Sequence, residues 1–349
     1  ITQLFVGVML DKYSTRWLTA LAIFTCALGV LLFSQAETIY MAGMTRGLMG
    51  IGVAFATVSY MKLAAVWFPP KHYAFVSGLL ATAAMSGAVF GQAPLAWFVD
   101  KFGWHYCLYL VGWVGIGLAF LFFMVVRDGP NVILQKSNAS KLSFKEISQV
   151  FKSKQNWILT LYGGLAFAPV AVFGGLWGNP FLEQAYNLSK TEAASMISLV
   201  FIGLGLGSPI LGLLSARLNN RIQVMLVSTL VSCVAITLVL YGHPLSIGCL
   251  SLLLFVFGFG LGAFMLVFAM GKELNHPSLT ATVIAMLNTS DALLGALTEP
   301  FIGKLLDMGW DGKLVHGVHQ FSLHSYHTAL SVLPLYLLLA SILLLFLKE

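Results

Sequence analysis

Charge is what this chain has least of. Asp, Glu, Lys and Arg make up 9% of its 349 residues, where a soluble domain carries about a quarter. With 58% hydrophobic residues and a mean hydropathy of +0.88, the chain is solvated by lipid, which sets aside a soluble fold. Cysteine is sparse too. Cys26, Cys107, Cys233 and Cys249 all fall inside apolar runs, and no pair has metal-ligand spacing. They read as small buried hydrophobes, and neither a metal nor a cofactor is expected.

What is present is a series of long apolar runs. A spanning helix needs about 20 mostly apolar residues. Full spans are expected near 17–35, 41–65, 73–97, 104–126, 157–182, 192–215, 222–241, 245–270, 279–302 and 326–347. Residues 1–8 read as the tail of one more, so the chain is expected to start part-way through a bundle. Residues 127–156 interrupt the pattern and read as a linker between an N-terminal bundle, 1–126, and a C-terminal bundle, 157–349. Within the linker, Lys141 to Lys152 is amphipathic and predicts a short helix on the membrane surface.

The surplus of 19 basic over 13 acidic residues is a topology signal. Lys12, Arg16, Lys62, Lys71, Arg127, Arg217, Arg221, Lys272 and the linker lysines share one side of these spans. Only Lys101, Lys190, Lys304 and Lys313 lie on the other. Positive loops stay in the cytoplasm, so the linker and the loop at residues 9–16 face the cytosol. No basic stripe with interleaved aromatics appears, so nucleic acid is not a partner.

Two loops echo each other. Gly7-Val-Met-Leu-Asp11-Lys12-Tyr-Ser14-Thr-Arg16 returns roughly two hundred residues later as Gly212-Leu-Leu-Ser-Ala216-Arg217-Leu-Asn-Asn-Arg221. Pro94, Asp100, Gly103 and Trp104 return likewise as Pro300, Asp307, Gly309 and Trp310. A repeat of this length in so apolar a chain indicates a membrane protein of two like halves.

The first loop resembles the cytoplasmic signature of the major facilitator superfamily, G-x-L-x-D-R-x-G-R-R/K, at Gly7, Asp11, Lys12 and Arg16. Ser14 stands where the signature has Gly. The resemblance implies an all-α fold of twelve helices in two pseudo-symmetric six-helix bundles, about eleven of them present here. It implies that Asp11 meets the N-terminus of the eleventh helix, near Ser278, when the inner gate is closed. Lys12 and Arg16 would then hold nearby acids or lipid phosphates, and Arg217 and Arg221 are their counterparts in the second half. Arg46-Gly-Leu-Met-Gly50-Ile-Gly52 is similar to a fourth-helix motif of the family, R-x-x-x-G-x-G. Two departures stand out. Glu299-Pro300 replaces a usual Gln-Pro, and the antiporter G-x-x-x-G-P of the fifth helix is not matched, since Gly87 and Gly91 are followed by Gln92 and only then Pro94.

Asp291 is the most informative single residue. It lies mid-span in Asn288-Thr289-Ser290-Asp291, where insertion of a charge costs about 2.5–3.5 kcal/mol and such groups face a cavity or a partner. A carboxylate that can be neutral or charged is what proton coupling requires; the alternative is a static hydrogen bond to a neighbouring helix. Arg46 stays charged under physiological conditions and suits an anionic group; the alternative is snorkelling to the surface. Glu299 is a second proton-site candidate or a solvated helix end. Gln92, Tyr162, Trp177, Asn179, Ser198 and Asn288 are polar or aromatic groups that line a site or glue helices together. Trp177-Gly-Asn179-Pro180 is expected to break its helix as a gate hinge. The sets Gly115/Gly117, Gly203/Gly205/Gly207 and Gly258/Gly260/Gly262 lie inside unbroken spans with no strand before them, so they read as helix-packing positions. His316, His319, His324 and His327 crowd an outer loop and read as polar loop residues.

The expectation is a multi-pass transporter, monomeric, in a bacterial inner membrane, taking up a small polar solute with protons by alternating access. A proton-coupled efflux antiporter and an uncoupled facilitator are the alternatives within the class. A membrane-embedded enzyme or a solute sensor are those outside it. No nucleophile and base, and no metal set, converge at one depth, so an enzyme is not expected.

Overall fold

Helix dominates the computed structural model, which describes residues 5–7, 9–10, 13–128, 144–242, 244–276, 279–315 and 318–347. The helices are α1 Thr15–Phe33, α2 Ile39–Val53, α3 Ala56–Trp67, α4 Pro70–Phe90, α5 Ala93–Phe102, α6 Trp104–Val125, α7 Phe144–Lys152 and α8 Lys154–Pro169. After a π-helical segment, Val170–Trp177, follow α9 Gly178–Tyr186, α10 Lys190–Leu218, α11 Arg221–Tyr241 and α12 Ile247–Leu261. A 3-10 turn, Gly262–Met265, leads to α13 Leu266–Glu273, α14 Thr280–Met308, α15 Leu323–Leu330 and α16 Val332–Leu344. Among the described residues nine helical runs are long and apolar enough to cross a membrane. α14, at 29 residues, also has the length but carries Asp291, Glu299, Lys304 and Asp307. One two-stranded hairpin interrupts the all-helical pattern: Leu314–Val315 pairs antiparallel with Val318–His319. Helix α7 falls within the linker segment whose pattern predicted a surface helix.

Residue choice explains the breaks. The expected span 73–97 is two helices, because Gly91 and Gln92 turn the chain and Pro94 suits only a first helical turn. Gly103, at φ +79°, lets α6 start directly after α5. Ser189 and Glu192 form a capping box that starts α10. At its other end Asn219 takes a left-handed conformation, and Asn220 accepts from Gln223 N at 2.8 Å to start α11.

The chain clusters into two units. The first holds 1–73, 94–153 and 272–286; the second holds 74–93, 154–271 and 287–349. In the first, α1 packs against α2 and α6 over small residues. A Cβ added at Gly52 would lie 2.5 Å from the Ala22 carbonyl oxygen, and one at Gly115 would lie 2.8 Å from Ala27 Cβ. Val6 and Leu10 pack with Ala54 and Val58. In the second, α10 and α12 interlock. Gly203 and Gly207 press on the backbone at Phe255 and Phe259, while Gly258 and Gly262 press back on Val200 and Gly207–Ser208. These glycines serve close helix packing, as their place inside spans implied. Gly117 has nothing within 4 Å of an added Cβ.

Candidate functional site

Asp291 sits on α14 against α8. Two consecutive glycines make room: a Cβ at Gly163 would lie 3.0 Å from Asp291 Oδ1, and one at Gly164 would lie 2.5 Å from Ser290 Oγ. The Val267 methyls of α13 flank Gly163 on the same side. Asp291 is 5% exposed, and its Oδ1 has no hydrogen-bond partner among the described residues. The carboxylate is therefore enclosed by protein at a three-helix junction, and Oδ1 holds no static hydrogen bond there. Leaving a carboxylate oxygen unpaired in an enclosed site is costly when it is charged. Asn288, one helical turn before Asp291, is half-buried.

A second group of candidates meets further along the unit. Trp177 Nε1 donates to the Glu299 carbonyl oxygen at 3.2 Å, and Gly303 leaves space for its ring, 3.3 Å from an added Cβ. Asn179 Nδ2 donates to Gln92 Oε1 at 3.4 Å. Asn179 Oδ1 is buried without a partner among the described residues. Glu299 lies eight residues beyond Asp291, about 12 Å along the helix axis. The helix distortion starts earlier than the Trp177–Pro180 stretch. It follows Pro169, whose missing N–H and ring oppose the regular α ladder, and runs as a π segment to Trp177. Pro169, inside an apolar run, was the signal available in the sequence.

The remaining candidates make contacts of their own. The Tyr162 hydroxyl is buried and 2.9 Å from Thr229 Oγ1, facing α11. Ser198 donates to the Ala194 carbonyl of its own helix. Arg46 is exposed on α2 of the first unit, its guanidinium 5.5 Å from the Phe33 ring centroid. Of its motif, Gly52 packs on α1 and Gly50 has nothing within 4 Å. His319 stacks on Trp310 at 3.8 Å; His316 lies outside the described residues. Among the described residues no three His, Cys, Asp or Glu side chains are grouped to hold a metal.

In the signature loop, Asp11, Lys12 and Ser278 lie outside the described residues, while Gly7 is buried. Arg217 occupies the last turn of α10, where a cation complements the helix dipole, and Arg221 opens α11. Arg16 has a partner that the sequence reading missed. Its backbone N–H donates to Asp128 Oδ1 at 3.0 Å, and its Nε donates to the Phe123 carbonyl at 2.6 Å. Ser14 Oγ donates to Asp128 Oδ2 at 2.5 Å and accepts from Trp17 N at 3.3 Å. Asp128, just past α6, thus supplies a carboxylate to the N-terminus of α1. This explains Ser14 in place of Gly: it is the N-cap. The available signal was an acid directly following an apolar span. Asp128→Ala is expected to lower stability by about 1–2 kcal/mol, the scale of a lost cap, read as a lower Tm of the purified protein in detergent.

The profile of the Major Facilitator Superfamily matches residues 1–309, and the chain belongs to that family. It is an integral, multi-pass membrane protein. It is similar to the D-galactonate transporter of Escherichia coli O6:H1, with 23% identity over 339 residues, 87% of this chain and 76% of that protein. It is also similar to the hexuronate transporter of Bacillus subtilis, with 26% identity over 219 residues, 58% of this chain and 50% of that one. The chain thus spans about half the length of the latter relative. Among solved structures, a bacterial homologue of the human lysosomal transporter Spinster, in an inward-facing and unoccupied conformation, aligns with TM-score 0.66 and 16% identity, over 99% of this chain and 85% of that one. The human organic anion transporter MFSD10 aligns with TM-score 0.70 and 15% identity, over 98% and 80%. These likenesses establish the fold.

Proposed function

We propose that this protein imports a small polar organic acid of the sugar-acid type, driven by protons. The observation that carries the reading is Asp291: a carboxylate 5% exposed, with Oδ1 unpartnered among the described residues, against the bare backbone at Gly163. Such a group binds a proton in one state of a transport cycle and releases it in another. The acid class is supported by the relatives, whose names specify galactonate and hexuronate. An anionic solute needs a cation, and Arg46 is the permanently charged candidate. Gln92 and Asn179 offer amides to hydroxyls, with Trp177 and Glu299 shaping the same end of the unit, and Asn288 offers another one turn from Asp291. Residues 1–126 and 157–349 are the two rocking bundles, joined by 127–156, and the signature loop gates the inner side. The chain works as a monomer in the bacterial inner membrane. No bond in the substrate is made or broken; binding shifts the population between two access states.

The test is uptake of labelled galactonate and hexuronates into proteoliposomes under an imposed pH gradient. Accumulation that follows inward proton flow supports the reading. Outward substrate movement against inward protons identifies an antiporter, and equilibration without proton flux a facilitator. Arg46→Gln is expected to raise KM for an acid at least about tenfold, on the scale of a lost charge-assisted hydrogen bond, with unchanged Tm. An unchanged KM removes Arg46 from the site.

A further inference from the structure

Helices α4 and α10 of the second unit meet tightly and then part. Where they meet, a Cβ at Gly78 would lie 2.6 Å from Pro209 N, and one at Gly212 would lie 3.0 Å from the Ala74 carbonyl oxygen. Thr82 Oγ1 donates to the Gly205 carbonyl at 2.5 Å. Beyond Thr82 the helices enclose a groove of about 230 Å³, walled by Met85, Val89 and Phe90 on one side and Phe201, Ile202 and Leu206 on the other. Gly205 keeps its floor low, since an added Cβ there would lie 3.3 Å from Met85 Cβ.

The wall chemistry selects the occupant. The hydroxyls at its edge are already committed, Thr82 to Gly205 and Ser86 to the Thr82 carbonyl at 2.8 Å. A carboxylate or carbonyl solute would lose its hydration and find no free donor. The volume is also below the roughly 300–1,000 Å³ of small-molecule sites. The groove opens onto Ile202, Leu206, Ile210 and Leu213, an exposed apolar stripe at helical spacing along α10. Both walls belong to helices long and apolar enough to cross a membrane, and the stripe itself offers only hydrocarbon side chains.

We propose that the groove is a binding site for one acyl chain of a bilayer phospholipid, which wedges the C-terminal half of α4 away from α10. This rests on the membrane-spanning fold and is independent of the substrate proposed above. It is tested on the purified protein in phosphatidylethanolamine–phosphatidylglycerol vesicles holding a trace of phospholipid with a diazirine in mid-chain. After irradiation, adducts are mapped by mass spectrometry. They are expected to concentrate on residues 85–90 and 201–206. They are expected to be lost there in Val89→Trp, which fills the groove, and retained in Leu118→Trp on the exposed face of α6. Ile202→Trp fills the groove from the opposite wall and replaces Val89→Trp if that variant has a collapsed Tm. Adducts spread evenly over the exposed stripes of α6, α10 and α16 overturn the proposal. So does groove labelling unchanged in a folded filling variant, or protection of these peptides by a dimer in the same vesicles.

Discussion

Asp291→Asn is expected to abolish accumulation of substrate against its gradient while counterflow exchange continues. Asn matches the shape of Asp and can fill the space beside Gly163 and the Val267 methyls, but it cannot gain or lose a proton in the working pH range. If the proton that drives uptake rides on Asp291, the cycle loses its driving ion and keeps its ability to alternate. Internal substrate then rises no higher than external substrate, whatever the imposed pH gradient. Folding should not suffer. The native side chain is 5% exposed with Oδ1 unpaired among the described residues, and a neutral amide of the same shape escapes the desolvation cost of a buried charge. The two readouts are uphill uptake and counterflow in the same vesicles, with Tm as the folding control. Uphill uptake at the native level would show that coupling lies elsewhere, with Glu299 next in line.

Gly258→Leu is expected to destabilise the protein severely. An added Cβ at Gly258 overlaps the backbone carbonyl of Val200. A flexible side chain could move aside, but a helix backbone yields only if α10 and α12 separate. Overpacking of a core costs about 1–3 kcal/mol where side chains can adjust, and here the obstacle is main chain, so the loss should lie at or above the top of that range. Gly117→Leu on α6 is the matched control. It sits in the same kind of G-x-G pair, yet an added Cβ there meets nothing within 4 Å. Thermal unfolding in detergent should show a large drop for the first variant and almost none for the second. Equal drops would mean that the loss reflects glycine chemistry rather than the α10–α12 contact.

The two glycine pairs also show how far sequence reasoning reaches. Gly115-Ile-Gly117 and Gly258-Phe-Gly260 are indistinguishable as patterns, and placing them in packed spans followed from the apolar runs around them. Which glycine bears a contact depends on which face of a helix meets which neighbour. Local residues do not encode that choice, because several small residues offer equivalent faces. Tyr162 and Trp177 make the same point. Both are large polar aromatics in one apolar run, yet the first is tied to Thr229 inside the unit and the second to the Glu299 carbonyl. The role of Asp128 is not legible in the sequence because its partner, Ser14, is 114 residues away, and no spacing rule links an acid to a distant helix start. Pro169 lies in plain sight in the sequence, and the helix distortion follows it, ahead of the Trp177–Pro180 stretch.

By itself the sequence determined that this chain is a helical membrane protein of two like halves. Burial of about 20 apolar residues per span against lipid is a demand each segment meets alone, so it is written locally and read locally. The duplicated loops and the lone mid-span carboxylate at Asp291 belong to the same local record. Only the tertiary structure decided what Asp291 touches, which glycines carry the α10–α12 seam, and that Asp128 completes the start of α1. Those are pairings between distant segments, selected by the shape of whole helices packed together, and no single stretch contains both partners.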